Sequence, residues 1–282
     1  MARLFVENLT VMDFSYLDAA RGVVGESWIV DIELSGELDD QGMVFDFGSV
    51  KKQIKQFIDA QADHRLLVPV ESAGCEIEKD GQEVRIRFPL SDGGEVRHRS
   101  PKDAVLLLDS DTLELPQIGA QLEIQLKEIL PDNVKEVAIV LRSESIAGAF
   151  YHYTHGLQKH QGQCQRIAHG HRSRLEVSID GSRDSDLETQ WSQRLADAYV
   201  ATDVHVVEEF EHNGIPHTSM QYTAAQGEFA ISLPSKYVFT MPHVSTVENI
   251  AMHLASCIAE ESRGKVCVKA FEGVGKGALG FA

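Results

Sequence analysis

A chain of 282 residues, 43% apolar and 24% charged, is long enough for one large or two ordinary domains, each with a real core. Its net charge of −17 argues against nucleic acid as a general partner, because a phosphate backbone demands a cationic surface. No apolar run approaches the ~20 residues that cross a bilayer, residues 1–18 lack the basic start and long apolar core of a secretory signal, and Cys75, Cys164, Cys257 and Cys267 show no short disulfide spacing. A cytoplasmic protein with no membrane partner is the expectation.

In chain order, residues 27–36 (SWIVDIELSG) read as a strand. GMVFDF at 42–47 leads into a helix on which Val50, Ile54, Phe57 and Ile58 form one apolar face, with Ser49 as the expected N-cap. That helix ends in Ala62-Asp63-His64-Arg65. Asp80-Gly81 between alternating runs marks a hairpin, because both residue types tolerate positive φ. A second apolar helical pattern covers 118–130, a strand follows at 137–141, and 143–148 (SESIAG) reads as a link.

Beyond the link, residues 151–176 read YHYTHGLQKHQGQCQRIAHGHRSRLE and hold five of the twelve histidines and one of the four cysteines. On a strand, residues i and i+2 share a face, so His169 and His171 can grip one ion from one side. His155 lies on the preceding segment, which can pair antiparallel with this strand. Three neutral imidazoles without a fourth protein ligand form the pattern of a catalytic zinc site with one open position. Zn2+ is therefore the expected cofactor.

The second half repeats the first. Residues 27–36 match 172–181, which sets Gly25 over Gly170 and Val24 over His169 at an offset of 145. Glu78, Gly81, Gly94, Glu95 and Pro101 match Glu211, Gly214, Gly227, Glu228 and Pro234 at a constant offset of 133. A helical pattern at 247–258 and a strand at 266–271 close the second copy, and Asn213-Gly214 marks its hairpin. Each copy thus runs strand, strand, helix, hairpin, helix, strand, an α+β unit, with domains expected at 1–145 and 146–282.

These motifs together resemble the 6-pyruvoyl-tetrahydropterin synthases and their relatives, the 6-carboxytetrahydropterin synthases of queuosine biosynthesis. The resemblance covers most of the chain, but the family's motifs are divided between the copies. The second carries His155, Cys164 before His169-Gly170-His171, a Ser245-Thr246-Val247-Glu248-Asn249 helix start, and Glu272 ending the last strand. The first carries GMVFDF and the Asp63-His64 pair, and has no histidine before His64. The second copy has Asp203-Val204-His205 where the pair is expected.

The resemblance implies two tandem T-fold domains, each an antiparallel four-stranded sheet with two helices, assembling into a β-barrel homo-oligomer that leaves no open sheet edge. It implies a lyase acting on 7,8-dihydroneopterin triphosphate, with His155, His169 and His171 on zinc. Cys164 would be the base, since thiols ionise beside cations, and Asp63-His64 the proton relay. Glu272 would accept the pterin N–H donors, and Thr246 either touches the pterin or caps its helix. In the family the cysteine and the Asp-His pair meet across a subunit interface, so a duplicated chain can discard half a site from each copy. Lys159, His160 and Arg166, with Lys51, Lys52 or Arg65, are the candidate triphosphate contacts. Four residues separate Cys164 from His169, and this spacing leaves the 6-carboxy product, the 6-pyruvoyl product and an aldolase-type cleavage open, besides a non-catalytic zinc- or pterin-binding protein.

Overall fold

The computed structural model describes residues 1–282, except the side chain of Lys51. It parts into two compact units. The first comprises 1–12, 27–63 and 114–144; the second comprises 13–26, 64–113 and 145–282. This cut differs from the boundary at 145/146 that the repeat suggests.

The chain begins with two long strands, β1 (Ala2–Asp18) and β2 (Gly22–Gly36). In the first unit β2 pairs antiparallel with β8 (Val134–Ser143), from Trp28↔Ser143 to Gly36↔Val134. Its helical segment runs through α1 (Phe47–Ser49), a π-helical turn (Val50–Ile54) and α2 (Lys55–Gln61). Asp46, not Ser49, is the N-cap: its side chain accepts the Ser49 N–H at 2.9 Å. Val50, Ile54 and Ile58 are buried as the spacing requires, Phe57 of the same expected face is only half-buried, and α3 (Leu115–Lys127) buries Ile118, Leu122 and Leu126.

In the second unit the strands from the first half are β3 (Leu66–Pro69), β4 (Glu76–Asp80), β5 (Glu83–Pro89), β6 (Glu95–Pro101) and β7 (Val105–Leu108). The second half supplies β9 (Phe150–His155), β10 (His169–Ile179), the short β11 (Ser182–Arg183), β12 (Ala198–Thr202), β13 (Val206–His212), β14 (Ile215–Ala224), β15 (Gly227–Pro234), β16 (Val238–Met241), β17 (Val266–Phe271) and β18 (Gly277–Phe281). Its helices are α4 (Ser185–Arg194) and α5 (Val247–Glu261).

One sheet runs β16-β12-β9-β10-β17-β18. A second, six-stranded and antiparallel, runs β13-β14-β15-β6-β5-β4 and joins the two halves of the chain where Ile231 faces His98. Phe88, Val96, Phe229, Ile231 and Leu233 bury one face of that sheet; Trp191, Leu254, Ile258 and Val268 form a second core around α4 and α5.

The expected purely antiparallel sheets are corrected. β1 pairs parallel with β3, β3 with β7, β9 with β12, and β12 with β16. Each of these pairs is joined by intervening elements, the long crossover that parallel neighbours need, and alternation of apolar residues carries no information about strand direction.

The pairing pattern recurs along the chain. Leu66 pairs with Ser15 on one side and Val105 on the other; Tyr199 pairs with Thr154 and Val238. Ser15 and Thr154 therefore hold the same place, and their hydroxyls meet at 2.8 Å. Gly25 and Gly170, matched in the sequence, also meet: a Cβ on Gly170 would lie 2.7 Å from the Gly25 Cα and 2.2 Å from the Tyr153 carbonyl. Only glycine permits the strands to come so close.

Candidate active site

The histidine cluster is built by β-pairing. β9 and β10 run antiparallel with His169 directly opposite His155 and His171 opposite Tyr153, so the three imidazoles share a face. Ring centroids are 4.5 Å apart for His155–His169, 5.4 Å for His155–His171 and 5.9 Å for His169–His171. One nitrogen from each lies within 4.8 Å of the others, and all three residues are buried.

The surroundings fix which nitrogen faces inward. His155 Nδ1 donates to the Ser245 carbonyl at 2.7 Å and His169 Nδ1 to the Arg166 carbonyl at 2.9 Å. A carbonyl can only accept, so each Nδ1 carries the proton and each Nε2 keeps its lone pair. For His171 the Nδ1 partner is the Asp13 carboxylate at 3.1 Å, within ion-pair range though off the N–H line. The Nε2 atoms of all three histidines are buried without a hydrogen-bond partner. Burial, with His171 adding to it, holds His155 down to about 3. Burial and then the neighbouring His155 push His169 well below the ordinary histidine range. With His155 and His169 held neutral and three buried Nε2 atoms converging, the cluster offers the donor set that a divalent cation needs, and zinc is among the metals that imidazole nitrogens suit.

A thiol and a fourth imidazole stand beside this cluster. The loop from β9 to β10 is pinned by Tyr199 and Tyr222, whose hydroxyls donate to the Ile167 and Gln165 carbonyls, both at 2.9 Å. Leu157 N–H donates to the Cys164 carbonyl at 2.9 Å. That loop sets the half-buried Cys164 thiol within 4.8 Å of ligating atoms of both His64 and His169. The His64 ring lies 5.0 Å from that of His169. His64 has φ 55°, a left-handed conformation uncommon outside glycine. Its N–H donates to the Asp13 carbonyl at 2.6 Å, and Arg166 reaches its carbonyl at 3.4 Å. The first half of the chain thus delivers His64 to a thiol from the second half.

The other expected residues fall as follows. The Glu272 carboxylate, about a quarter exposed, lies 3.9 Å from His171 Nε2 at the edge of the cluster. Thr246 caps α5, its hydroxyl accepting the Asn249 N–H at 3.4 Å. Asp63 is half-buried in the turn before His64 and belongs to the first unit. Asp203-Val204-His205 forms a 3-10 turn after β12; the place of His64 in the pairing pattern is held instead by Asp197, also left-handed at φ 58°.

Among the candidate triphosphate contacts, Arg166 is buried and bonded to Gln226 at 3.2 Å. Arg65 is half-buried, with burial lowering its pKa. Lys159 and His160 are exposed, as is Lys52 in the first unit. The Lys51 side chain lies outside the described residues.

Sequence reasoning missed Asp13 and the two carbonyl partners, Ser245 and Arg166. Asp13 sits on β1 among apolar residues, and an acid at a buried strand position was the only signal available. Cys75, Cys257 and Cys267 are half-buried free thiols.

An α+β protein with a buried cluster of three imidazoles beside a thiol defines the class. The family model for 6-pyruvoyl tetrahydropterin synthase matches residues 11–79 and 147–274. The chain belongs to that family. Its relatives include a Pyrococcus horikoshii protein named "Putative 6-carboxy-5,6,7,8-tetrahydropterin synthase", 23% identical over 133 residues that cover 45% of this chain and 73% of the relative. A Pyrococcus abyssi protein of the same name is 22% identical with the same coverage. The crystal structure of 6-pyruvoyl tetrahydropterin synthase from Plasmodium vivax covers 50% of this chain and 97% of its own at 22% identity, with a TM-score of 0.38, a likeness too slight to carry an argument.

Proposed function

We propose that this protein is a zinc-dependent pterin synthase of the 6-carboxytetrahydropterin type, acting on 7,8-dihydroneopterin triphosphate. The observation that carries the reading is the meeting of His64, Cys164 and His169 beside the three-histidine cluster. A decayed binding module has no need to keep a thiol and a fourth imidazole from opposite halves of the chain at one point.

His155, His169 and His171 would hold the metal through Nε2. Bound there, zinc supplies Lewis acidity to the oxygens of the pterin side chain. Cys164 then accepts a carbon-bound proton of that side chain as thiolate. His64 exchanges protons with its hydroxyls, held in place by the bond from its N–H to the Asp13 carbonyl. Asp63, next in sequence, is the acid of the proposed Asp-His pair. The Glu272 carboxylate accepts the N–H donors of the pterin ring. The two halves of the chain are two T-fold repeats on this reading, and copies of the chain pair their sheet edges in a cytoplasmic homo-oligomer.

The test is to incubate zinc-loaded protein with 7,8-dihydroneopterin triphosphate and identify the products by mass spectrometry. 6-Carboxytetrahydropterin with acetaldehyde and inorganic triphosphate is expected. A 6-pyruvoyl product, or a 6-hydroxymethyl pterin with the triphosphate ester of glycolaldehyde from retro-aldol cleavage, assigns the site to another branch. Absence of turnover overturns catalysis altogether.

A further inference from the structure

The three histidines of the cluster are not held alike. His155 and His169 each give Nδ1 to a neutral main-chain carbonyl, but His171 faces a carboxylate. That carboxylate, Asp13, is 2% exposed, far below what an acid tolerates without partners. Its Oδ1 lies 3.1 Å from His171 Nδ1, and its Oδ2 receives Lys276 Nζ at 3.2 Å from the turn between β17 and β18. Its main chain also matters, since the Asp13 carbonyl accepts the N–H of left-handed His64 at 2.6 Å. One residue of β1 therefore touches both the cluster and the main chain that carries the fourth imidazole.

We propose that Asp13 is a positioning residue for His171, oriented by the first half of the chain to raise the cluster's metal affinity. The inference rests on the zinc reading above. Though off the N–H line, an acceptor-only carboxylate 3.1 Å from Nδ1 favours the ring proton on that nitrogen and so the lone pair on Nε2, the atom that lies in the cluster. Its charge also makes that lone pair a stronger donor than the two carbonyls make theirs.

The counterpart place in the pairing pattern supports this. There Tyr16, Val24 and Glu26 stand where His155, His169 and His171 stand, and His152 stands where Asp13 does. The acid and the imidazole are exchanged between the strands: His152 Nδ1 lies 3.8 Å from Glu26 and donates to the Gly25 carbonyl at 2.7 Å. An acid–imidazole contact recurs at both places, but only the Asp13 version puts the imidazole among two others. Near the counterpart, Arg21 donates to the Asp197 carboxylate through bonds of 2.5 and 2.9 Å.

The experiment measures zinc affinity by competition with a chromophoric chelator for the wild type, Asp13→Asn and Asp13→Glu, with far-UV circular dichroism to check folding. Asp13→Asn keeps the shape but loses the charge, and its affinity is expected to fall about 10–100-fold; Asp13→Glu is expected to recover part of the loss. An Asp13→Asn affinity within about twofold of wild type overturns the proposal. Should Asp13→Asn fail to fold, nitrogen-15 histidine spectra of the zinc-loaded wild type decide. A protonated, exchange-protected Nδ1 on His171 supports the role, and an unprotonated one overturns it. A wild type that binds no zinc would instead sink the zinc reading itself, a result distinct from unchanged affinity in the variant.

Discussion

His64 carries more of the functional argument than any other single side chain. Its left-handed backbone, φ 55°, is a conformation that costs about 1–3 kcal/mol when a non-glycine residue is held in it. It is kept by the Asp13 and Arg166 contacts, and it turns the ring toward His169 and Cys164. His64→Ala and Cys164→Ala are each expected to lower turnover by about 10²–10⁴-fold, while zinc content stays at the wild-type level because neither is in the three-histidine set. Steady-state kinetics paired with metal analysis checks this, and undiminished turnover in His64→Ala contradicts the proton-relay role. The histidines were legible in the sequence because i, i+2 spacing on a strand is a rigid geometric statement. Asp13 was not, because one acid in an apolar strand names no partner until the other strand is in place.

Among the elements, hairpins and helices followed their local signals. Asn213 and Gly214, at φ 53° and 75°, make the turn that Asx-Gly encodes, and α5 starts at Val247 behind its Thr246 cap. Strand direction did not follow, because β3, β7, β12 and β16 are short and their neighbours are chosen by crossovers rather than by turns. The N-cap of the first helix was misplaced for a related reason: Asp46 and Ser49 are both good caps, and only the chain path decides between them. Close approach of β2 to β10 makes a sharp prediction. Gly170→Ala places a methyl 2.2 Å from the Tyr153 carbonyl, so a stability loss of about 1–3 kcal/mol or more is expected by denaturant titration. An unchanged midpoint would show that the two strands can separate without cost.

Across the whole molecule, the sequence carries two constant offsets, and strand pairings recur at one of them: Leu66 pairs with Val105 as Tyr199 pairs with Val238, each 133 residues on. The compact units do not follow it, because β6 of the first half pairs with β15 of the second in one six-stranded sheet, a long-range pairing no local signal announces. His98 lies buried at that seam, its Nε2 2.9 Å from the Ser100 hydroxyl, and burial holds its pKa down to about 3. The unfolded chain protonates this ring near pH 6.5, so His98 favours the folded state above that value. The contribution is lost progressively as pH falls toward 3. The acidic surface, at net −17, relaxes in the opposite sense as carboxylates gain protons. The test is thus a difference: between pH 7 and 5 the wild type should lose more stability than His98→Gln, and equal losses would mean the ring is not buried neutral.

The central claim is a single metal held by three imidazoles from β9 and β10. Tyr16, Val24 and Glu26 occupy the counterpart place and offer no such set. Plasma emission analysis of dialysed, zinc-reconstituted protein tests this most directly, comparing the wild type with His169→Ala. One zinc per chain in the wild type, falling to a trace in the variant, is the result expected. Two zinc ions per chain, or zinc retained by His169→Ala, would contradict it.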